Sequence, residues 1–291
     1  MMHLILRMTK FCLIPIIILF FSSCKMEIER GDFFNTIKGS GNVITETRNI
    51  SDSFDKIHVS SVIKVELEQS LNYEVIVKAD DNLIPYIITD VEGSTLRIRL
   101  DKVSISNMKD IKVYVKMPNV NGLKATSSSE IDVKGAITSE SISLISSSTA
   151  DIKLGEINAT YVSVEANSSS DIKVGRIFAV EFNATTTSTA DFEAYVEADK
   201  IKINASSSSD VELKGKALDL VTVTSSTATI DAKDLLVNNI TATASSSSTI
   251  KVHPIVSLTA QASSTADIYY YKEPRVIDKK TSSSGSVEFK K

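Results

Sequence analysis

Tryptophan is absent, aromatic residues make up only 6% of the chain, and there are three histidines and two cysteines in 291 residues. A core built without large rings has to be thin and aliphatic. Cys12 and Cys24 both lie in the first 24 residues, so nothing beyond them can be stapled by a disulfide or hold zinc through thiolates. His3 sits in the opening segment, while His58 and His253 lie far apart in strand-like stretches, which gives little material for a His-centred catalytic or metal site. With ten glycines, the chain also lacks the glycine-rich nonapeptide that wraps calcium in β-rolls. Acidic residues outnumber basic ones and the formal net charge is −4. No basic excess argues for nucleic acid as a partner.

What the chain has instead is repetition. Nine times between Ser127 and Gly285 it writes one short word: SSSE, SSTAD, SSSD, STAD, SSSD, STAT, SSST, STAD and SSGS. Each word leads into an apolar–x–apolar pair such as Ile131 and Val133, Ile172 and Val174, or Ile250 and Val252. Successive leading residues are 21, 20, 20, 19, 19, 20, 18 and 19 apart. A near-constant period of strand-like pieces is the mark of a solenoid in which each repeat is one coil. The predicted fold is therefore all-β, a β-solenoid in the form of a single-stranded right-handed β-helix with coils of about 20 residues.

The phase within the word is strict. Four positions before the leading apolar residue there is always serine, from Ser127 to Ser283; three before, serine alternates with threonine; two before, serine alternates with alanine until Gly285. The true unit is thus a pair of coils, a regularity that a disordered serine-rich linker would not keep. Strand side chains alternate between two faces. If Ile131 and Val133 face inward, parity sends the invariant serine and the Ser/Ala column inward too. The Ser/Thr column and the acid column, Glu130, Asp151, Asp171, Asp191, Asp210, Thr229, Thr249, Asp267 and Ser286, then form an outward strip. A second strand per coil is expected after a short bend, at Ile142–Leu144, Val162–Val164, Ile201–Ile203 and their equivalents.

Two other segments precede this array. Arg7 and Lys10 come before the apolar run Phe11–Phe21, which ends in Ser22-Ser23-Cys24. That order describes a lipoprotein signal peptide over 1–23, with lipidation expected at Cys24 and a tether over 24–38; an ordinary signal peptide with an incidental cysteine is the plainer alternative. Cleavage would remove two positive and no negative side chains, so −4 becomes −6. The expected location is the cell envelope, as an outer-membrane lipoprotein facing the periplasm or the surface, with the lipid as membrane attachment. Residues 39–120 read as β-rich but outside the serine register, with strands at 42–47, 56–61, 63–68, 73–79, 96–100 and 111–117. Ser61-Val62-Ile63-Lys64-Val65 looks like a degenerate word, so these residues are expected to be irregular coils that cap the regular array over 121–291.

Gly39-Ser40-Gly41-Asn42-Val43, Phe54-Asp55-Lys56-Ile57, Ala79-Asp80-Asp81-Asn82-Leu83 and Thr95-Leu96-Arg97-Ile98, followed by serine-rich words ending in Asp, resemble the head GIN domain family, adhesin-like proteins common in Bacteroidota. The resemblance covers roughly residues 39–290 and implies a β-helical, secreted or lipid-anchored protein with no assigned catalytic residues. The family writes its repeat with glycines where this chain has Ser, Thr or Ala. A bend with positive φ would disfavour that exchange, so the word is expected to be extended here.

The chemistry therefore rests on the outer strip: Thr149, Asp151, Ser169, Asp171, Thr187, Thr189, Asp191, Ser208 and Asp210. Its expected role is binding, as surface recognition or adhesion toward a glycan or protein, without catalysis, metal or cofactor. One alternative is a polysaccharide-acting β-helical enzyme using the Asp column as acid, base or cation ligand. Such a site would break the regularity locally, yet the acids recur as evenly as the serines. A second alternative is a Ser/Thr face for self-assembly, glycans or ice, since Thr187-x-Thr189 resembles the Thr-x-Thr rows of ice-binding β-helices. The last coil, ending in Val287 and Phe289, is a candidate for contact with another copy.

Overall fold

The computed structural model describes residues 36–109 and 111–291, so the expectations for the signal peptide and for Cys24 lie outside the described residues. Ten short strands come first: β1 (Thr36–Lys38), β2 (Val43–Thr47), β3 (Lys56–Val59), β4 (Ile63–Gln69), β5 (Glu74–Asp80), β6 (Ile87–Glu92), β7 (Thr95–Leu100), β8 (Ser104–Ser106), β9 (Ile111–Met117) and β10 (Gly122–Thr126). Seven long ones follow: β11 (Glu130–Ser147), β12 (Asp151–Asn167), β13 (Asp171–Thr187), β14 (Asp191–Ser206), β15 (Asp210–Ser225), β16 (Thr229–Ser245) and β17 (Thr249–Ser263). β18 (Asp267–Tyr270), β19 (Val276–Ser282) and β20 (Ser286–Phe289) complete the array.

From β11 to β17 every neighbour pair is parallel, with register shifts only near the mid-strand bend of four of the six pairs, so Ile131, Ile152, Ile172, Phe192, Val211, Ile230 and Ile250 form one column. Each of them is buried. This is a β-solenoid of stacked coils of about 20 residues, as the period predicts. The expected second strand is the latter half of each long strand: Ile142 and Leu144 are buried, as are Val162 and Val164, and Ile201 and Ile203. The core is an aliphatic ladder, with Phe182 and Phe192 as a ring pair 5.6 Å apart between neighbouring coils.

The early strands extend this stack and then close it. β10 lies on β3 and β11 on β4, all parallel; beneath them β3 pairs with β7 and β4 with β9, again parallel. Ser61 has φ 71°, so the degenerate word is a true corner below Ser127 and Ser128. Beyond that level the direction reverses: β5 covers β9 and β2 covers β5 antiparallel, while β6 covers β7 antiparallel. Antiparallel hairpin strands occupy edges that another parallel coil would otherwise extend. The β6 strand is not among the expected segments, because its Thr and Asp interrupt the apolar alternation of Ile87–Glu92.

The motifs behind the family resemblance sit in this cap. A Cβ on Gly39 would overlap the Asp80 carboxylate. Ser40 Oγ donates to Asp81 Oδ1 at 2.5 Å, Asn42 Nδ2 donates to Asp81 Oδ2 at 2.8 Å, and Asn82 Nδ2 donates to the Lys38 carbonyl at 2.8 Å. The Ser40 and Asn42 bonds, with one from the Asn82 backbone N–H, hold the Asp81 carboxyl below its ordinary pKa, and the set ties the Gly-Ser-Gly-Asn segment to the Asp-Asp-Asn turn. Phe54 is buried against Tyr73, ring to ring at 4.8 Å.

The serine word departs from expectation. It is a tight corner whose two central residues both have left-handed φ, for example Ser127 58° and Ser128 64°, or Ser188 57° and Thr189 65°. All nine words do this. The parity argument assumed an unbroken strand; a two-residue corner instead turns its tip away from the core. The invariant serine is therefore exposed, whereas the Ser/Ala column is buried as expected. Four words ending in Ala or Gly close with a backbone bond, such as Ala228 N to the Ser225 carbonyl at 3.3 Å. In words ending in Ser, the hydroxyl takes over: Ser248 Oγ donates to the Ser245 carbonyl at 2.8 Å and accepts from Ser245 N at 3.2 Å.

A second buried column on the other flank of the corner explains the two-coil unit. It reads Ala125, Ser146, Ala166, Thr186, Ala205, Thr224 and Ala244, out of phase with Ser129, Ala150, Ser170, Ala190, Ser209, Ala228 and Ser248. Each of these corners thus buries one hydroxyl and one alanine methyl, exchanged in the next coil, and the hydroxyls meet diagonally: Thr186 with Ser209 at 2.9 Å and Thr224 with Ser248 at 2.8 Å. The corner is too narrow for larger groups, and Ala190→Leu should cost about 1–3 kcal/mol through overpacking. Ser248→Ala should cost about 1–3 kcal/mol because it orphans the buried Thr224 hydroxyl, while Ser248→Ala combined with Thr224→Val should recover most of that loss. Urea unfolding of the single and double variants measures both.

Candidate binding surface

The corner tips stack into a ridge along the solenoid. At each step the second tip residue donates its backbone N–H to the first tip carbonyl of the next coil, from Ser128 N to the Ser148 carbonyl at 3.1 Å through Thr265 N to the Ser283 carbonyl at 3.1 Å. Their hydroxyls pair in twos, Ser128 with Thr149, Ser169 with Thr189, Ser208 with Thr227 and Ser247 with Thr265, each at 2.8 Å. Thr149, Thr189 and Thr265 also donate to the carbonyl just before them, as Thr149 Oγ1 does to Ser148 at 2.6 Å. A tip hydroxyl engaged twice has less left to offer a ligand.

Of the nine predicted strip residues, Thr149, Ser169, Thr189 and Ser208 are exposed tip residues, and Asp151, Asp171, Asp191 and Asp210 stack in register beside them. Thr187 is half-buried on the opposite flank of its corner. With Thr189 at φ 65° between them, Thr187 and Asp191 do not share one flat strand, so the extended Thr-x-Thr geometry behind the ice-face alternative is not formed.

The acid column differs along its length. Burial by itself would push the Glu130 carboxyl up, but Lys64 at 2.9 Å and Lys153 at 3.3 Å outweigh it and hold the carboxyl below its ordinary value. Asp231, two residues further along its strand than the acid column, behaves alike between Lys251 at 3.0 Å and Lys233 at 3.1 Å. Between them, no described lysine or arginine nitrogen pairs with Asp171, Asp191 or Asp210. Asp191 is pushed up by partial burial and by the charges of Asp171 and Asp210 on either side. These three line a shallow groove with Lys173, Glu193 and Glu212. Among the described residues no group of three His, Cys, Asp or Glu side chains converges to hold a metal ion.

Among the described residues nucleophilic machinery is not assembled either. His58 Nε2 lies 3.3 Å from Thr126 Oγ1, and burial together with Lys124 and Arg97 keeps this imidazole below its ordinary pKa. His253 Nδ1 lies 3.1 Å from the Lys233 carbonyl, a backbone partner in the neighbouring strand. No carboxylate orients either ring.

The surface that sequence reasoning missed is apolar. At the second bend Val180, Leu218, Leu236 and Ile255 are exposed, Leu218 by 50%, and Phe178 and Ala198 join three of them in lining a groove. A period-based reading assigns such residues to the core. The available signal was local: Leu218 directly follows the inward Ala217, and Leu236 follows the inward Leu235, so each is the wrong parity for burial.

The raised Asp191 carboxyl means that its ionised form is disfavoured in the fold. Its share of stability is present below the ordinary carboxylate pKa and is lost as pH rises through the raised value. Asp191→Asn should therefore raise the unfolding free energy measured in urea at neutral pH, by about a few tenths of a kcal/mol in view of solvent screening. That gain should shrink in high salt and disappear in acid. Glu130→Gln should do the reverse, lowering stability at neutral pH and converging with the parent as pH falls through the lowered carboxyl pKa.

A family model described as "Putative auto-transporter adhesin, head GIN domain" matches twice in tandem, over residues 53–177 and 174–274. No curated protein matches the chain. Among solved structures it is similar to a "putative adhesin" from Parabacteroides distasonis, with 20% identity and a TM-score of 0.68 over 88% of this chain and 100% of the other. A "putative adhesin" from Parabacteroides merdae gives 18% and 0.67 over 88% and 99%, and a "Putative lipid binding protein" from Parabacteroides distasonis gives 21% and 0.64 over 88% and 100%. At these identities the structures share the fold, and the two tandem matches, which span the cap and most of the coils, show that this chain belongs to the head GIN domain family.

Proposed function

We propose that this protein is a lipid-anchored component of the cell envelope that recognises a surface partner, glycan or protein, through the rigid outer face of its solenoid, without catalysis. The observation that carries the reading is the groove formed by exposed Leu218, Leu236 and Ile255 at the second bend of the parallel stack. Contiguous exposed apolar residues rimmed by charge mark interaction sites, and here Glu197, Asp199 and Lys216 share the groove with them. Adhesin-like family membership favours the same class of function. Support for the anchor comes from the sequence, where a basic start, a short apolar run and Ser-Ser-Cys precede the solenoid.

Glycan-array and whole-cell binding assays test the recognition, and clean negatives in both would sink it. Leu218→Asp and Leu236→Asp should each lower binding several-fold while leaving the unfolding midpoint nearly unchanged, because neither side chain is buried. Cys24→Ala should move the chain from the membrane fraction to the soluble fraction. Turnover of a defined polysaccharide that is lost in Asp171→Asn would favour the enzyme reading instead.

A further inference from the structure

The two ends of the described stack are built differently. At the first, antiparallel strands cover the outer edges of β7 and β9. At the other, β19 pairs only with β17 and β20 only with β18 among the described residues. The outer edges of the coil β19–corner–β20 therefore carry unpaired backbone donors and acceptors, and Val276, Ile277 and Phe289 remain exposed there by 64%, 38% and 38%.

We infer that this end is a dimer interface, in which β19 of one copy pairs antiparallel with β20 of a second across a two-fold axis through the Ser283–Ser284 corner. Residues opposed in an antiparallel pair point to the same face, so inward positions must meet inward positions. Leu258, Ala260 and Ala262 are buried, which puts their register partners Ile277, Lys279 and Thr281 on the inward face. Ile268 and Tyr270 are buried, which does the same for Val287 and Phe289. Asp278, Lys280, Glu288 and Lys290 consequently face outward.

Only alternate registers satisfy this rule, and charge selects among them. With Thr281 opposite the partner's Val287, Lys280 faces the partner's Glu288 and Asp278 faces the partner's Lys290, opposite charges in both cases. Lys279, which lies over the Tyr270 ring at 4.5 Å, comes opposite the partner's Phe289. A shift to the parity-allowed register on one side sets Asp278 against the partner's Glu288. The shift on the other side sets Lys280 against the partner's Lys290. Both place like charges directly across the ladder, which is destabilising. Two-fold symmetry doubles the favourable pairs, and the contact closes at two copies because the same patch of each copy is used up in it.

Sedimentation of the full chain in detergent, followed against concentration, should show monomer and dimer. Lys280→Glu or Glu288→Lys should each weaken dimerisation about tenfold or more, since each turns two attractive pairs repulsive. Lys280→Glu combined with Glu288→Lys should restore it. A chain that stays monomeric, a dimer indifferent to both single reversals, failure of the double reversal to rescue, or open-ended polymers would each overturn the assignment. Circular dichroism of the singles keeps the readout separate from folding, and self-association through the apolar leader would not follow the charge swap.

Discussion

Every coil of the regular array turns on two consecutive residues held at positive φ. For residues other than glycine that conformation costs about 1–2 kcal/mol each, and here serines and threonines accept it in all nine words. What offsets the cost is stacking. The tip N–H donates to the tip carbonyl of the next coil, the tip hydroxyls pair between coils, and threonine also bonds the preceding carbonyl. The first two kinds of partner do not exist in an isolated repeat, so the corner and the stack are stable only together, which is the coupling expected of a solenoid.

The same constraint sets the width of the corner. Two inward positions flank each tip, and the backbone segments approach so closely that only alanine, serine or threonine fits there. A buried hydroxyl in every position would crowd donors without acceptors. Alternating one hydroxyl and one methyl, and swapping them in the next coil, lets hydroxyls meet diagonally or reach a carbonyl. The 39-residue unit is the visible trace of that arrangement. Function is then left to what the regular stack presents: an acidic stretch around Asp191, an apolar row at the second bend, and an uncovered last coil.

Much of this was legible beforehand because a parallel in-register stack forces chemically similar residues into columns, and columns appear in a sequence as period. The coil length, the buried Ile131-type column, the buried Ser/Ala column and the stacking of the acids in one column follow from spacing and parity. The degenerate word at Ser61 and the capping role of residues before Ser127 follow from the same comparison. The invariant serine was misplaced because parity fails wherever the backbone leaves the extended region. The word also contains no glycine at its tip to announce a left-handed corner. Resemblance to glycine-bearing repeats pointed the right way, and the propensity argument against serine pointed the wrong way. The apolar row at Leu218 and Leu236 was hidden for a related reason: at a bend, adjacent residues rather than alternate ones decide which side chain turns out.

By itself the sequence determined the class of fold, the length of a coil, the aliphatic core and the existence of a two-coil unit, since these depend on periodicity that no tertiary context can erase. Tertiary structure alone decided the sign of φ at each tip, the diagonal hydroxyl pairs, the antiparallel closure of one end and the bareness of the other. The physical reason is that each of these depends on a partner in a different coil. A strained serine, a buried hydroxyl or an open strand edge acquires its energy only when the neighbouring turn of the solenoid is in place, or is missing.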